Sequence, residues 1–258
     1  MMKYEMLGLF QGYLQDKFSE RTAKTYLSKL ETLLDGQSLL NATANFDMAK
    51  VIDNLTKIKY KNPFSQAKNA LLLFCEFQGI TISEAQLKEI TLLEKRAKRK
   101  YRKLKPVDFK KVDSTIKRLK NLKLKLCYQT LLKTGLRVFE VAQITPDDCN
   151  ISEDEIHFSF IGKGGRHEGA TIAKSDDTLF FDRLAGLIRD TKESDKVFYS
   201  ATYLQTKAKK YGFTCHDLRR IYAKSEYAKN GSKFHVMKKL RHSSMKSTKI
   251  YLRSKVKL

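Results

Sequence analysis

Residues 215–251 read CHDLRRIYAKSEYAKNGSKFHVMKKLRHSSMKSTKIY, and their apolar spacing gives helices over 215–229 and 232–240 followed by a break. The break matters because His242 and Tyr251 are nine residues apart. On one unbroken helix they would sit on opposite faces, roughly 13 Å apart along the axis. Ser243-Ser244 supplies an N-cap at which a new helix starts, so Tyr251 can fold back toward His242 on a separate, movable helix. At the start of the same stretch His216 and Arg219 lie three apart on one helix and share a face.

Working outward, residues 155–161 (EIHFSFI) alternate as a strand, Gly162-Lys163-Gly164-Gly165 is a turn, and Ala170-Thr171-Ile172 pairs back. The result is a hairpin with Lys163 at its tip. Residues 176–190 and 201–211 read as helices, and Pro106-Val107-Asp108 opens another that runs through Val112, Ile116 and Leu119. Between these, Leu122, Leu124 and Leu126 alternate like a strand while Cys127, Leu131 and Leu132 read as helix, so periodicity leaves both states open there. The N-terminal part is helical. Leu7, Phe10, Tyr13 and Leu14 form one stripe; Ser19-Glu20-Arg21-Thr22 starts a second helix that closes at Gly36; a third runs from Asn62-Pro63 to Gly79. The fold class is therefore mainly α, an N-terminal helical domain followed by an α-rich domain with a small antiparallel β-sheet.

A length of 258 residues suits two domains of the usual ~100 to 200 residues each. The boundary is a charge run, residues 95–105, with eight basic side chains and no acid. The expected division is 1–94, a basic linker 95–105, and 106–258. Such a run is either a solvated linker or a segment that lies on a polyanion, and its position between two basic domains favours the second. Lys24, Lys29, Lys61 and Lys68 fall on polar helix faces, where they touch phosphates or only solubilise.

The whole chain carries 51 Lys+Arg against 28 Asp+Glu, a formal net charge of +23, and such an excess favours a polyanionic partner. A mean hydropathy of −0.47 and the lack of any apolar run near ~18 residues argue against a membrane span. The start, Met1-Met2-Lys3-Tyr4-Glu5-Met6, has no signal-peptide apolar core, so the chain is expected in the cytoplasm, or in whatever compartment holds the DNA. Cys75, Cys127, Cys149 and Cys215 are far apart with no C-x-x-C pair, so neither a zinc site nor a disulfide framework is expected. Gly162-Lys163-Gly164-Gly165 lacks the Gly-Lys-Ser/Thr of a Walker A loop, which disfavours nucleotide hydrolysis.

Breaking a phosphodiester without a metal needs a nucleophile, cations for the charge on the non-bridging oxygens, and an acid for the departing oxygen. Tyr251, the arginines Arg137 and Arg219, and the side chains of Lys163, His216 and His242 offer each of these. Two arginines can grip a phosphate in bidentate fashion, which lysine does less well. Singly, each has a plainer reading: a tyrosine at helical spacing is usually core, and an arginine after Thr-Gly-Leu usually makes surface salt bridges. Their joint occurrence in one order moves the balance.

That order resembles the tyrosine recombinase (phage integrase) family, including Xer-type recombinases. Thr134-Gly135-Leu136-Arg137-Val138-Phe139-Glu140 looks like its first arginine box, Gly162-Lys163-Gly164 its hairpin lysine, His216-Asp217-Leu218-Arg219 its second box, and Leu240-Arg241-His242 through Thr248-Lys249-Ile250-Tyr251 its last. The resemblance implies that residues 1–94 are a helical core-binding (SAM-like) DNA-binding domain and 106–258 the catalytic domain. It also implies a site-specific recombinase that needs no cofactor, metal or ATP. Tyr251 would attack the scissile phosphate to form a 3′-phosphotyrosyl link and free a 5′-hydroxyl. Arg137 and Arg219 would hold the non-bridging oxygens, Lys163 would be the general acid, His216 would assist proton transfer, His242 would hydrogen-bond the phosphate, and Glu140 would buttress the arginine box. The implied partner is double-stranded DNA, with a homo-tetramer (a pair of dimers) on two DNA sites, no membrane, and room for an accessory DNA-bending protein. The alternatives are a type IB topoisomerase, which shares the nucleophile and cations, and a catalytically idle DNA-binding relative.

The chain departs from the family pattern in four places. Arg241 stands where a Gly usually precedes the histidine, and either adds a phosphate contact or points to solvent. Arg220 stands where a second His is frequent, the hairpin lacks the usual Val-Pro, and Leu252 to Leu258 are short for the C-terminal helix that many relatives pack onto a neighbouring protomer.

Overall fold

The computed structural model describes residues 2–36, 46–99, 104–162 and 165–258, and the chain divides into two compact units, Met1–Arg102 and Lys103–Leu258. In the first unit five helices are described: α1 (Met2–Lys17), α2 (Glu20–Leu34), α3 (Met48–Thr56), α4 (Lys61–Gln78) and α5 (Glu84–Arg96). Their apolar stripes converge on Phe10, Leu14, Leu30, Leu33, Val51, Leu55, Phe64 and Phe74, all buried. Phe10 meets Phe74 edge to face with centroids 5.3 Å apart, the arrangement that aromatic quadrupoles favour. The expected stops hold: Gly79 closes α4 at φ 66, and α2 ends on Asp35 at φ 41 just before Gly36.

The expected linker 95–105 begins inside this unit. Lys95 and Arg96 form the last turn of α5, and the Lys98 N–H donates to the Lys59 carbonyl while its own carbonyl accepts from the Lys61 N–H, both at 3.0 Å. Residues 100–103 of the run lie outside the described residues. Lys68 is also spoken for, because its ammonium bonds Glu94 at 2.6 Å.

In the second unit a two-residue strand, β1 (Val107–Asp108), leads into α6 (Phe109–Lys117), and Asp108 caps that helix by accepting from the Lys111 N–H. Leu122, Leu124 and Leu126 belong to a helix, α7 (Leu122–Thr134), opened by the Asn121 cap on the Leu124 N–H at 2.8 Å. The strand-like alternation there arises because Leu124, Leu126, Cys127, Tyr128, Thr130 and Leu131 are all buried, which makes α7 a central helix with apolar contact nearly all round. The short α8 (Val138–Val141) follows, and then a three-stranded antiparallel sheet, β2 (Cys149–Ile151), β3 (Glu155–Ile161) and β4 (His167–Ala173), in the order β2-β3-β4.

The hairpin register pairs Ile156 with Ile172 and Phe160 with Glu168, so Ile156, Phe158 and Phe160 face the core. Strand β2 went unrecognised in the sequence, since three residues are too few to show a period. Helices α9 (Thr178–Arg189), α10 (Ala201–Lys210), α11 (Cys215–Asn230), α12 (Lys233–Lys239) and α13 (Met245–Arg253) complete the layer, and β5 (Val256–Lys257) pairs in parallel with β1. No described helix is long and apolar enough to cross a membrane.

Candidate functional site

The site is built on the end of α7. Gly135 closes that helix at φ 61, and a Cβ there would lie 2.2 Å from the Tyr222 ring, so backbone conformation and close approach to α11 both require glycine. The turn delivers Arg137 to the N-cap of α8, where the Glu140 carboxylate accepts the Arg137 N–H at 2.7 Å and its guanidinium at 2.5 Å. Glu140, almost fully buried, also lies 4.0 Å from the Arg219 guanidinium and 3.9 Å from that of Arg241. One carboxylate thus holds three cations together, and its contact with Arg137 is in keeping with the buttress of the arginine box that the family resemblance implies.

Arg219, on the first turns of α11, is 2 % exposed. Its two terminal nitrogens donate to the Gly135 and Leu240 carbonyls, tying the arginine turn to the end of α12, and its Nε is buried without a hydrogen-bond partner among the described residues. Burial, with the charge of Arg137 beside it, lowers the Arg219 pKa to about 10, which still leaves it charged at neutral pH. Asp217 in the same box is structural: it completes the capping box with Thr214 and pairs with the fully buried Arg220 at 2.8 Å. Arg220 in turn donates to the Lys105 carbonyl at 3.0 Å, so it acts as a brace where relatives often carry histidine.

Tyr251 comes back as the Ser-Ser break required. Ser244 caps α13, its hydroxyl accepting from the Lys246 N–H at 3.2 Å, and the Tyr251 ring then stacks on His242 with centroids 5.2 Å apart and planes 16° from parallel. The Tyr251 hydroxyl lies 3.4 Å from His216 Nδ1, the long end of hydrogen-bond range. Burial, reinforced by Arg219 and Arg220 and opposed by Asp217, lowers the His216 pKa. Burial and then the charges of Arg219, Arg137 and Arg241 push His242 down to about 4. Both imidazoles are therefore neutral at pH 7, able to take or share a proton.

Arg137, His216, Arg219, His242 and Tyr251 are thus brought together; Lys163 and Gly164 lie outside the described residues, between the hairpin ends Gly162 and Gly165. Sequence reasoning missed Thr248, which is fully buried and bonds His242 Nδ1 at 2.9 Å; its place one turn inside a capped helix that folds back on His242 was the available signal. It also missed Glu168. Arg241 does not point to solvent: its side chain is 11 % exposed and packs on Phe160, Glu168 and Glu140. Cys75, Cys127 and Cys215 are buried free thiols, and burial pushes each up to about 12; thiols held so far from ionisation are inert core residues.

The family model described as the phage integrase family matches residues 105–257. No curated protein sequence matches the chain significantly. Among solved structures, a lambda integrase dimer bound to a COC′ core site is similar over 96% of this chain and 94% of its own, with 17% identity and a TM-score of 0.64. The XerH site-specific recombinase bound to its difH substrate is similar over 89% and 74%, with 17% identity and a TM-score of 0.62. The Tn1549 transposon integrase in complex with circular intermediate DNA is similar over 95% and 94%, with 13% identity and a TM-score of 0.60. At these identities the structures share the fold, and the family match covers more than half of the chain. The chain belongs to the phage integrase family and is a tyrosine recombinase that acts on DNA.

Proposed function

We propose that Tyr251 is the nucleophile of a site-specific strand exchange and that the cluster around Glu140 is its phosphate grip. The observation that carries this reading is the placement of the Tyr251 hydroxyl 3.4 Å from His216 and its ring on His242, beside the Arg137 and Arg219 guanidinium groups gathered by the Glu140 carboxylate. Neutral His216 takes the phenol proton as the Tyr251 oxygen bonds to phosphorus. The bond from phosphorus to the 5′ oxygen breaks, Lys163 gives that oxygen a proton, and a 5′-hydroxyl leaves behind a 3′-phosphotyrosyl link. Attack by the 5′-hydroxyl of another strand reverses the sequence and restores the tyrosine. The energy of the phosphodiester is kept in the covalent link, so no ATP enters.

Arg137 offers its guanidinium to the non-bridging oxygens. Arg219 contributes charge from behind and its unpartnered Nε–H. With the Thr248 hydroxyl donating to Nδ1, His242 carries its proton on Nε2, the tautomer that hydrogen-bonds a phosphate oxygen. Residues 1–94 serve as a second, core-binding DNA-binding domain. The active assembly is a pair of dimers on two DNA sites, open to an accessory DNA-bending protein, in the cytoplasm.

The test is a nicked suicide duplex carrying candidate sites. Wild-type protein should form a covalent protein–DNA complex, and Tyr251→Phe should bind the same DNA without forming one. An adduct that survives the substitution removes Tyr251 from the role. Supercoil relaxation by a monomer without strand exchange between two sites would favour the topoisomerase reading.

A further inference from the structure

Arg241 occupies a position built for glycine. The Arg241 N–H donates to the Lys238 carbonyl and the His242 N–H to the Met237 carbonyl, the paired bonds that close a helix through a left-handed residue. Arg241 is that residue, at φ 52, where a side chain costs free energy that glycine avoids. The strain is retained together with a side chain that is put to use. Its Nε lies 3.5 Å from Glu168 Oε2, its terminal nitrogens reach the Gly169 and Gly135 carbonyls at 3.5 and 3.4 Å and Glu140 at 3.9 Å, and its guanidinium lies over the Phe160 ring at 5.4 Å. Neither Glu168 Oε2 nor Arg241 Nε, both buried atoms, has a hydrogen-bond partner among the described residues, so each is compensated by the charge of the other. The Glu168 side chain also lies against Gly162, where a Cβ would fall 2.5 Å from Oε2, and Gly162 is the residue from which the chain enters Lys163.

We propose that Arg241 and Glu168 form a strap joining strand β4 to the Glu140-centred arginine cluster, and that the strap is a positioning device for protonation of the departing 5′ oxygen. Phe160 and Gly169 fix the guanidinium on the hairpin side, Gly135 and Glu140 on the arginine side, and the ion pair sets the distance between them. The proposal rests on the reading of Lys163 as the general acid, because Lys163 is the hairpin's chemical cargo. A strap of this kind transmits small displacements to a reacting group, and a misplacement of about 1 Å can cost on the order of 10²-fold in rate.

The experiment compares cleavage of ordinary DNA with cleavage of DNA whose scissile 5′ oxygen is replaced by sulfur, a leaving group that departs as a thiolate and needs no acid. Arg241→Gly relaxes the backbone while deleting the strap, and Glu168→Gln keeps the shape while removing the charge; thermal melting verifies that each is folded. Each should cleave ordinary DNA roughly tenfold or more slowly and the sulfur substrate at the wild-type rate, with DNA affinity unchanged. Lys163→Ala should show the same pattern with a loss of about 10²-fold or more.

Folded variants that cleave ordinary DNA at the wild-type rate overturn the strap, and so does a loss that sulfur does not restore. If sulfur restores Arg241→Gly but not Lys163→Ala, the strap stands and the acid is a group other than Lys163.

Discussion

At the scale of the residue, the site works by holding charge that water would otherwise disperse. Glu140 lets Arg137, Arg219 and Arg241 share one buried volume, and the phosphate grip proposed for Arg137 and Arg219, being assembled before the substrate arrives, has no reorganisation cost at the moment of reaction. Arg137→Ala should lose on the order of 3 kcal/mol of transition-state stabilisation, read as single-turnover cleavage, with little loss of fold because its side chain is partly exposed. Arg219→Ala should lose a similar amount and also melt earlier, since it ties the Gly135 and Leu240 carbonyls; unaltered cleavage by either variant contradicts the assignment. The histidines make the protein sensitive to acid. Native His242 resists protonation until about pH 4, whereas the unfolded chain protonates near the ordinary value of 6.5, so between the two the unfolded state holds more protons. The stability tied to this neutral histidine is intact above pH 6.5 and is lost as pH falls toward 4. Urea midpoints followed across that window should fall in wild-type protein and fall less in His242→Gln. Parallel curves would remove His242 as a cause.

At the scale of the element, two helix ends decide where Arg137 and Tyr251 stand. The first is the close of α7, where Gly135 meets the Tyr222 ring. Gly135→Ala must open the α7–α11 contact and adopt a left-handed φ, so it should destabilise the fold by more than ~1 kcal/mol and slow cleavage by displacing Arg137. A melting temperature and a cleavage rate both equal to wild type would refute this. The second is the Ser244 cap of α13. Ser244→Ala should cost about 1 kcal/mol, concentrated in the short helix that carries Tyr251, so covalent complex formation should fall more than DNA affinity. Equal losses in both would place the effect elsewhere. The Ser-Ser break was visible in the sequence because a cap is a local device. The helical state of Leu122 to Leu126 was not, because a helix buried on most faces loses the amphipathic period on which such a reading depends.

At the scale of the whole molecule, a net charge of +23 means that association with DNA is largely counterion release, so log K should fall steeply and linearly with log salt. A flat response in a binding titration would contradict the polyanion argument. What the sequence by itself determined was local or covalent: the order of the boxes, the hairpin of 155–172, the glycine and serine breaks, and the balance of charge. These follow from backbone stereochemistry and side-chain type, and they carry the family resemblance that implies Tyr251 as nucleophile and Glu140 as a buttress. The tertiary structure alone decided which side chains share a volume. It bonded Thr248 to His242, buried Arg219 against two carbonyls, and turned Arg241 inward onto Glu168. No spacing rule contains these pairings, because a buried charge takes whatever partner packing brings within reach, and in this fold the partners come from segments as distant as β4 and the end of α12.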